Sequence, residues 1–143
     1  MRRLLITTVL FLVGLHLYGQ KPANTNNKKG VASFYHDKFE GRRTATGEVF
    51  DNDKYTAACN KLQLGTYVKV TNAANGRIVY VRINDRMAAN NQRLIDLASV
   101  AAEQLDFTDA GTTKVKLEIV SEKEGKMGIL AQKEVFASPK NEF

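Results

Sequence analysis

Three stretches of the chain alternate apolar and polar residues with the period of two that a half-buried β-strand requires. In Thr66 to Asn72, Val68 and Val70 oppose Tyr67 and Lys69; in Arg77 to Asn84, Val79, Val81 and Ile83 oppose Tyr80 and Arg82. In Thr113 to Val120, Val115, Leu117 and Ile119 oppose Lys114, Lys116 and Glu118. Asn75-Gly76 lies between the first two, and a pair that tolerates positive φ marks a hairpin turn, so these strands are expected to pair antiparallel with Ala73 and Ala74 absorbed in the connection. Weaker patterns predict further strands at Gly30 to His36, Tyr55 to Ala58 and Arg93 to Leu97. The first of these carries Val31, Ser33 and Tyr35 on one face and Ala32, Phe34 and His36 on the other. Ser99 to Leu105 reads as one short, Ala-rich helix that turns Val100, Ala101 and Leu105 to the core, with Asp96 expected to fix its start. Asp37 to Asp53 is rich in Gly, Thr and charge and predicts a long loop, and loops of that length on a compact domain often carry function. Six short strands and one helix in about ninety residues predict a mainly β fold, a small closed barrel without free edges.

The ends of the chain follow other patterns. Arg2-Arg3 precedes an apolar run from Leu4 to Leu17 that is too short to span a bilayer, so residues 1–19 read as a signal peptide. No cysteine follows that run to take a lipid, and nothing later is long and apolar enough to cross a membrane. Residues 20–29 are polar and Asn-rich and read as a flexible linker, leaving 30–120 for the barrel. Residues 121–143 hold Gly125, Gly128 and Pro139 around an apolar patch at Met127 to Leu130, and read as an added edge strand or a disordered tail. The expectation is a monomer exported across the inner membrane to the periplasm.

Charge narrows the partners. The chain has a formal net charge of +6, but residues 30–120 carry 12 Lys or Arg against 11 Asp or Glu. The excess lies in Arg2, Arg3, Lys21, Lys28 and Lys29, so the barrel offers no basic surface for nucleic acid. Cys59 is the only cysteine, which excludes a disulfide framework. Beyond the signal peptide His36 is the only histidine, so no ligand set of zinc spacing exists and no metal or cofactor is expected.

The candidate chemistry begins where the strand Arg77 to Asn84 ends. Its inward parity, carried one step past the strand, lands on Asp85. A carboxyl at the rim of an apolar interior loses solvation, which favours its protonated form and suits a general acid. The plainer alternative is a turn cap or an ion pair with Arg82 or Arg86. Tyr35 has a ring suited to a sugar face or to the core. Cys59 with His36 would make a nucleophile pair, against the commoner role of cysteine as an inert buried residue.

The motifs GVASFYHDKFEGRRTATGEVFD, TAACNKLQLGTYVKVTN, NGRIVYVRINDR and RLIDLASVAAEQL stand in this order between Gly30 and Leu105. Together they give the stretch from Gly30 to Val120 a strong resemblance to the rare lipoprotein A family, whose domain is a six-stranded double-psi β-barrel. The barwin and expansin proteins and some endoglucanases are similar at a greater distance. The resemblance implies a lytic transglycosylase that cuts peptidoglycan glycan strands between N-acetylmuramic acid and N-acetylglucosamine without water and leaves 1,6-anhydro ends. It implies that Asp85, in NDR, is the acid and then the base, and that Glu48, in TATGE, stabilises positive charge at the anomeric carbon or orients the sugar. Thr44 and Arg86 flank the acidic pair and, with Tyr35 and Cys59, are the candidate substrate contacts, solvated or salt-bridged surface roles being the alternative for Thr44 and Arg86. The chain departs from the family in three places: Cys59 replaces a histidine, Met87-Ala88 replaces Gly-Pro after the acid, and Phe34 replaces a tryptophan. Two other functions fit the same barrel, an expansin-like protein that holds glycan without cutting it and an inverting hydrolase with a second carboxylate spaced to activate water.

Overall fold

The computed structural model describes residues 27–137, the side chain of Phe136 excepted. The signal peptide and residues 20–26 of the expected linker lie outside the described residues. Among the described residues there are six strands: β1 (Asn27–Phe34), β2 (Thr56–Ala58), β3 (Tyr67–Asn72), β4 (Ile78–Asp85), β5 (Ile95–Leu97) and β6 (Thr113–Val120). They close into a barrel in the order β1-β5-β2-β4-β3-β6. The pairs β1–β5 and β2–β4 are parallel and the rest antiparallel. Only β3 and β4 are neighbours both in sequence and in space; every other connection leaves room for a strand from elsewhere in the chain. This is the expected six-stranded double-psi β-barrel.

The alternating residues fill it as their periodicity requires. Val68, Val70, Val79, Val81, Ile83 and Leu117 are fully buried, and Val115 nearly so. The β3–β4 hairpin closes through a loop in which the Asn72 amide donates to the Arg77 carbonyl and the Gly76 amide to the Asn72 carbonyl. Gly76 has φ +76°, a left-handed conformation that a Cβ disfavours.

Three expectations are corrected. Strand β1 starts at Asn27, not Gly30, because Asn27, Lys28 and Lys29 pair with Glu118, Leu117 and Lys116 of β6. The linker therefore reaches at most residue 26. The described part of the tail is neither edge strand nor disordered: Glu122–Ala137 is a second helix, α2. Gly125 and Gly128 are the points where α2 lies against Tyr67 and Tyr80, so a barrel with one short helix becomes, among the described residues, a barrel with two α-helices. Helix α2 also covers a bare edge. Strand β2 pairs only with the far end of β4, and the Gln132 side chain takes the place of a strand beside Tyr80, accepting from its amide (2.6 Å) and donating to its carbonyl (3.0 Å).

The start of helix α1 (Ser99–Gln104) is the third correction. Its cap is not Asp96. The first amide, on Ser99, donates to Oδ1 of Asn52 at 2.9 Å, and Asn52, which is buried, also donates from Nδ2 to Asp37 at 3.2 Å. The loop before β2 thus supplies the cap that the residues next to the helix do not. Replacing Asn52 with Ala is expected to lower stability by about 0.5–2 kcal/mol, the cost of losing a helix cap, and a urea titration monitored by circular dichroism measures it.

Candidate active site

Strand register brings the candidate residues together. Ser33 of β1 stands opposite Asp96 of β5, Asp96 opposite Ala58 of β2, and Ala58 opposite Asp85 of β4. Two carboxylates therefore sit in one row, two strands apart, with Cα atoms roughly 10 Å apart at ordinary strand spacing. The row includes a bulge: Ala57 faces Ile83 and Ala58 faces Asp85, so Asn84 is the unpaired extra residue. Asn84 is buried and Asp85 half-buried. The simple parity that pointed to Asp85 is broken at Asn84, and the bulge delivers the carboxylate to the barrel rim instead.

Asp85 opens on a groove of about 760 Å³, lined also by Tyr35, Phe39, Arg42, Arg93 and Asp96. That is the size of an ordinary ligand cleft. Three donors hold its carboxylate. The Tyr35 hydroxyl donates to Oδ2 at 2.7 Å, and the amides of Ala45 (2.9 Å) and Arg86 (2.8 Å) donate to Oδ1. Among the described residues Asp85 has no ion-pair partner, so the pairing with Arg82 or Arg86 does not occur. Burial, then the hydrogen bond to Asp85, pushes the Tyr35 phenol well above its ordinary value, so it stays protonated and able to donate. Its ring packs on Phe50 (centroids 4.3 Å apart) and edge-on to Phe39 (5.7 Å). These two rings come from the long loop before β2, and the only signal for them in the sequence was the length of that loop.

The other expected contacts are placed differently. Arg86 lines the groove, but its guanidinium donates to the carbonyls of Cys59 and Leu62 (2.6 Å), bracing the turn after β2. Cys59 is fully buried and its amide donates to the Asp85 carbonyl at 3.1 Å, so it lies behind the groove and not in it. His36 lines the groove, and nothing pairs it with that thiol. Thr44 is buried too; its amide donates to the Glu48 carbonyl at 2.8 Å and its hydroxyl meets that of Thr46 at 3.0 Å, shaping a tight turn.

Glu48 is not a groove residue. Arg82 points away from the core, and its fork engages both Glu48 oxygens, at 2.8 and 2.6 Å. Thr46 adds a third donor at 2.9 Å. The Arg82 bond, opposed by a little burial, draws the Glu48 carboxyl down to about 2. The pair pins the turn from Arg43 to Val49, and the same turn supplies the Ala45 amide to Asp85. Because Arg82 binds the ionised form, the stabilisation is complete above Glu48's ordinary value of 4.5 and is lost as pH falls through about 2. A carboxyl-carbon NMR titration is expected to place the Glu48 midpoint near 2; a midpoint at the ordinary value would mean that the latch does not form.

Comparison with known proteins fits this geometry. Residues 27–117 match the family described as lytic transglycolase. The chain belongs to that family. Helix α2 lies beyond the matched part. Among curated members, the endolytic peptidoglycan transglycosylase RlpA of Pasteurella multocida is 44% identical over 100 residues, 70% of this chain and 34% of that protein. The protein of the same name from Pseudomonas aeruginosa is 42% identical over 107 residues, 75% of this chain and 31% of its own. The chain thus spans about a third of the length of these relatives. Two solved structures share the fold. The Streptomyces papain inhibitor superposes with TM-score 0.53 at 24% identity, over 68% of this chain and 96% of the inhibitor. The apo expansin of Clavibacter michiganensis superposes with TM-score 0.54 at 21% identity, over 67% of this chain and 51% of the expansin. For this transglycolase family member, the shared barrel does not separate cutting from binding; the arrangement around Asp85 has to do so.

Proposed function

We propose that the barrel is a lytic transglycosylase acting on peptidoglycan glycan strands in the periplasm, reached by the signal peptide, without metal or cofactor. The observation that carries the reading is the Asp85 carboxylate: it faces the groove, is held by three neutral donors and is free of any ion pair among the described residues. Neutral donors fix its orientation without neutralising it, which is what a group that must both give and take a proton needs.

In the first half of the reaction protonated Asp85 gives its proton to the glycosidic oxygen between N-acetylmuramic acid and N-acetylglucosamine, and the bond from C1 to that oxygen breaks. In the second half the muramyl 6-hydroxyl oxygen bonds to C1 while the Asp85 carboxylate takes the hydroxyl proton. The acid is regenerated and a 1,6-anhydro ring closes, with no water consumed. Tyr35 serves both halves, since a phenol donates to the carboxylate and, once rotated, accepts from the carboxylic acid. Glu48 acts at one remove: its latch to Arg82 holds the turn whose Ala45 amide orients Asp85.

Mass analysis of products from purified strands tests the proposal. Anhydro ends support it, reducing ends would assign a hydrolase, and intact retained strands would leave the expansin-like role. Tyr35→Phe removes one bond to a charged group and is expected to slow cutting by about 10- to 100-fold, measured as kcat on the same strands; an unchanged rate would remove Tyr35 from the mechanism.

A further inference from the structure

Asp96 is left without a role once Asn52 caps α1. Its side chain is only 14% exposed, yet it borders the groove in the same register row as Asp85. The Ser33 hydroxyl donates to its Oδ1 at 2.5 Å. Arg93 donates from Nε to Oδ1 at 2.9 Å and from Nη2 to Oδ2 at 3.0 Å, while its own side chain is 41% exposed and borders the groove. Held by both Asp96 oxygens on one edge and open on the other, this guanidinium is an oriented fork. A guanidinium has five N–H donors. Two are used on Asp96, and the rest find no acceptor among the described residues.

We infer that Arg93, oriented by Asp96 and Ser33, is a specificity residue that receives a carboxylate of the bound glycan. The inference rests on the peptidoglycan reading and goes beyond it to a residue and a chemical group. A pre-oriented planar fork with its outer edge free matches a carboxylate better than it matches a hydroxyl. The charge around it agrees. Asp96 compensates Arg93, but Lys38 and Arg42, which also line the groove and flank the Phe39 ring at 5.3 Å each, have no ion-pair partner among the described residues. Against the single charge of Asp85 they leave the groove positive, which attracts an anionic sugar and gives a neutral one no advantage. N-acetylglucosamine is neutral; muramic acid carries a lactyl carboxyl, free or amide-linked to a peptide that brings carboxylates of its own. Asp96 is a positioning residue here, since it acts through Arg93.

The test compares three strands: one with free lactyl carboxylates, the same strand with those carboxylates chemically amidated, and one that keeps its peptides. Kinetics and equilibrium binding are both measured. The unsubstituted protein is expected to prefer the acidic strand to the amidated one by about tenfold or more, the loss falling on KM. In Arg93→Lys, which keeps the charge and loses the fork, the preference shrinks; in the double variant Arg93→Met, Asp96→Asn, which leaves no unpaired charge behind, it falls further, to the part that the charge of Lys38 and Arg42 supplies. Asp96→Asn alone shrinks it through a loosened Arg93. Equal performance of the peptide-bearing and free-carboxylate strands would locate the recognised carboxylate on either source and still support the receptor. Equal KM and equal affinity for acidic and amidated strands in the unsubstituted protein would overturn it, as would a preference as large in the double variant as in the unsubstituted protein. Should no strand be cut at all, the transglycosylase reading fails, and the binding preference alone then decides for or against Arg93.

Discussion

Replacing Asp85 with Asn is expected to reduce strand cutting by about 10²- to 10⁴-fold, the range that a positioned acid and base contributes, and to leave both fold and glycan binding in place. The side chains have the same shape. The amides of Ala45 and Arg86 keep an oxygen acceptor at the position of Oδ1, and the Tyr35 hydroxyl, a donor and an acceptor, can accept from the new amide nitrogen. Only the proton is lost. Cutting is read from anhydro products and binding from co-sedimentation with the strands. A variant that cut at the normal rate would place the acid elsewhere. One that neither cut nor bound would mean that Asp85 holds the sugar and is not the proton donor. Glu48→Gln serves as the contrast, because its effect passes through a turn held by Arg82 and is expected to be smaller than that of Asp85→Asn.

The second large effect concerns stability. A Cβ on Gly125 would lie 2.4 Å from both Cβ and Cδ1 of Tyr67, and one on Gly128 would lie 2.5 Å from Cγ and Cδ2 of Tyr80. In an isolated helix Gly to Ala is favourable by about 1 kcal/mol per site. Here the sign reverses. The Tyr67 Cβ is fixed to the β3 backbone and cannot swing aside, so the helix must lift, and overpacking of this kind costs about 1–3 kcal/mol per site. Lifting α2 also draws Gln132 from the Tyr80 amide and carbonyl, which then lose the partner that covered a bare strand edge. The double variant Gly125→Ala, Gly128→Ala is expected to melt below the unsubstituted protein, by several degrees for a domain of this size. A higher melting temperature would show that α2 does not rest on the two tyrosines. None of the described side chains of α2 borders the groove, so cutting measured well below the transition is expected to persist.

These two cases divide what could be read along the chain from what could not. The run Val79, Val81, Ile83 announced a strand with a buried face, and Asn75-Gly76 announced its hairpin, because both signals are written in residues next to one another. Asp85 was found by extending the same parity, although the structure reaches that position through the Asn84 bulge. The tail around Gly125 and Gly128 was misread for the opposite reason. Taken alone the two glycines weaken a helix, and only the presence of Tyr67 and Tyr80 against them turns the lack of a Cβ into an advantage. Asp96 was misread in the same way: the local rule offered it a helix to cap, while Asn52, 47 positions before Ser99, already held that place.

Sequence alone therefore determined which segments become strands, which of their faces turn inward, where the hairpin closes, and, through its motifs, the family and the barrel. Tertiary structure decided the rest: that Arg82 takes Glu48 from 34 positions away while Arg86 turns to the carbonyls of Cys59 and Leu62, that Tyr35 reaches Asp85 across 50 positions, and that Arg93 is held at the groove by Asp96. The physical reason is one of range. Alternation and turn preference are properties of the backbone over a few residues, whereas the charge, orientation and openness of a carboxylate depend on which distant donors the closing of the barrel brings beside it.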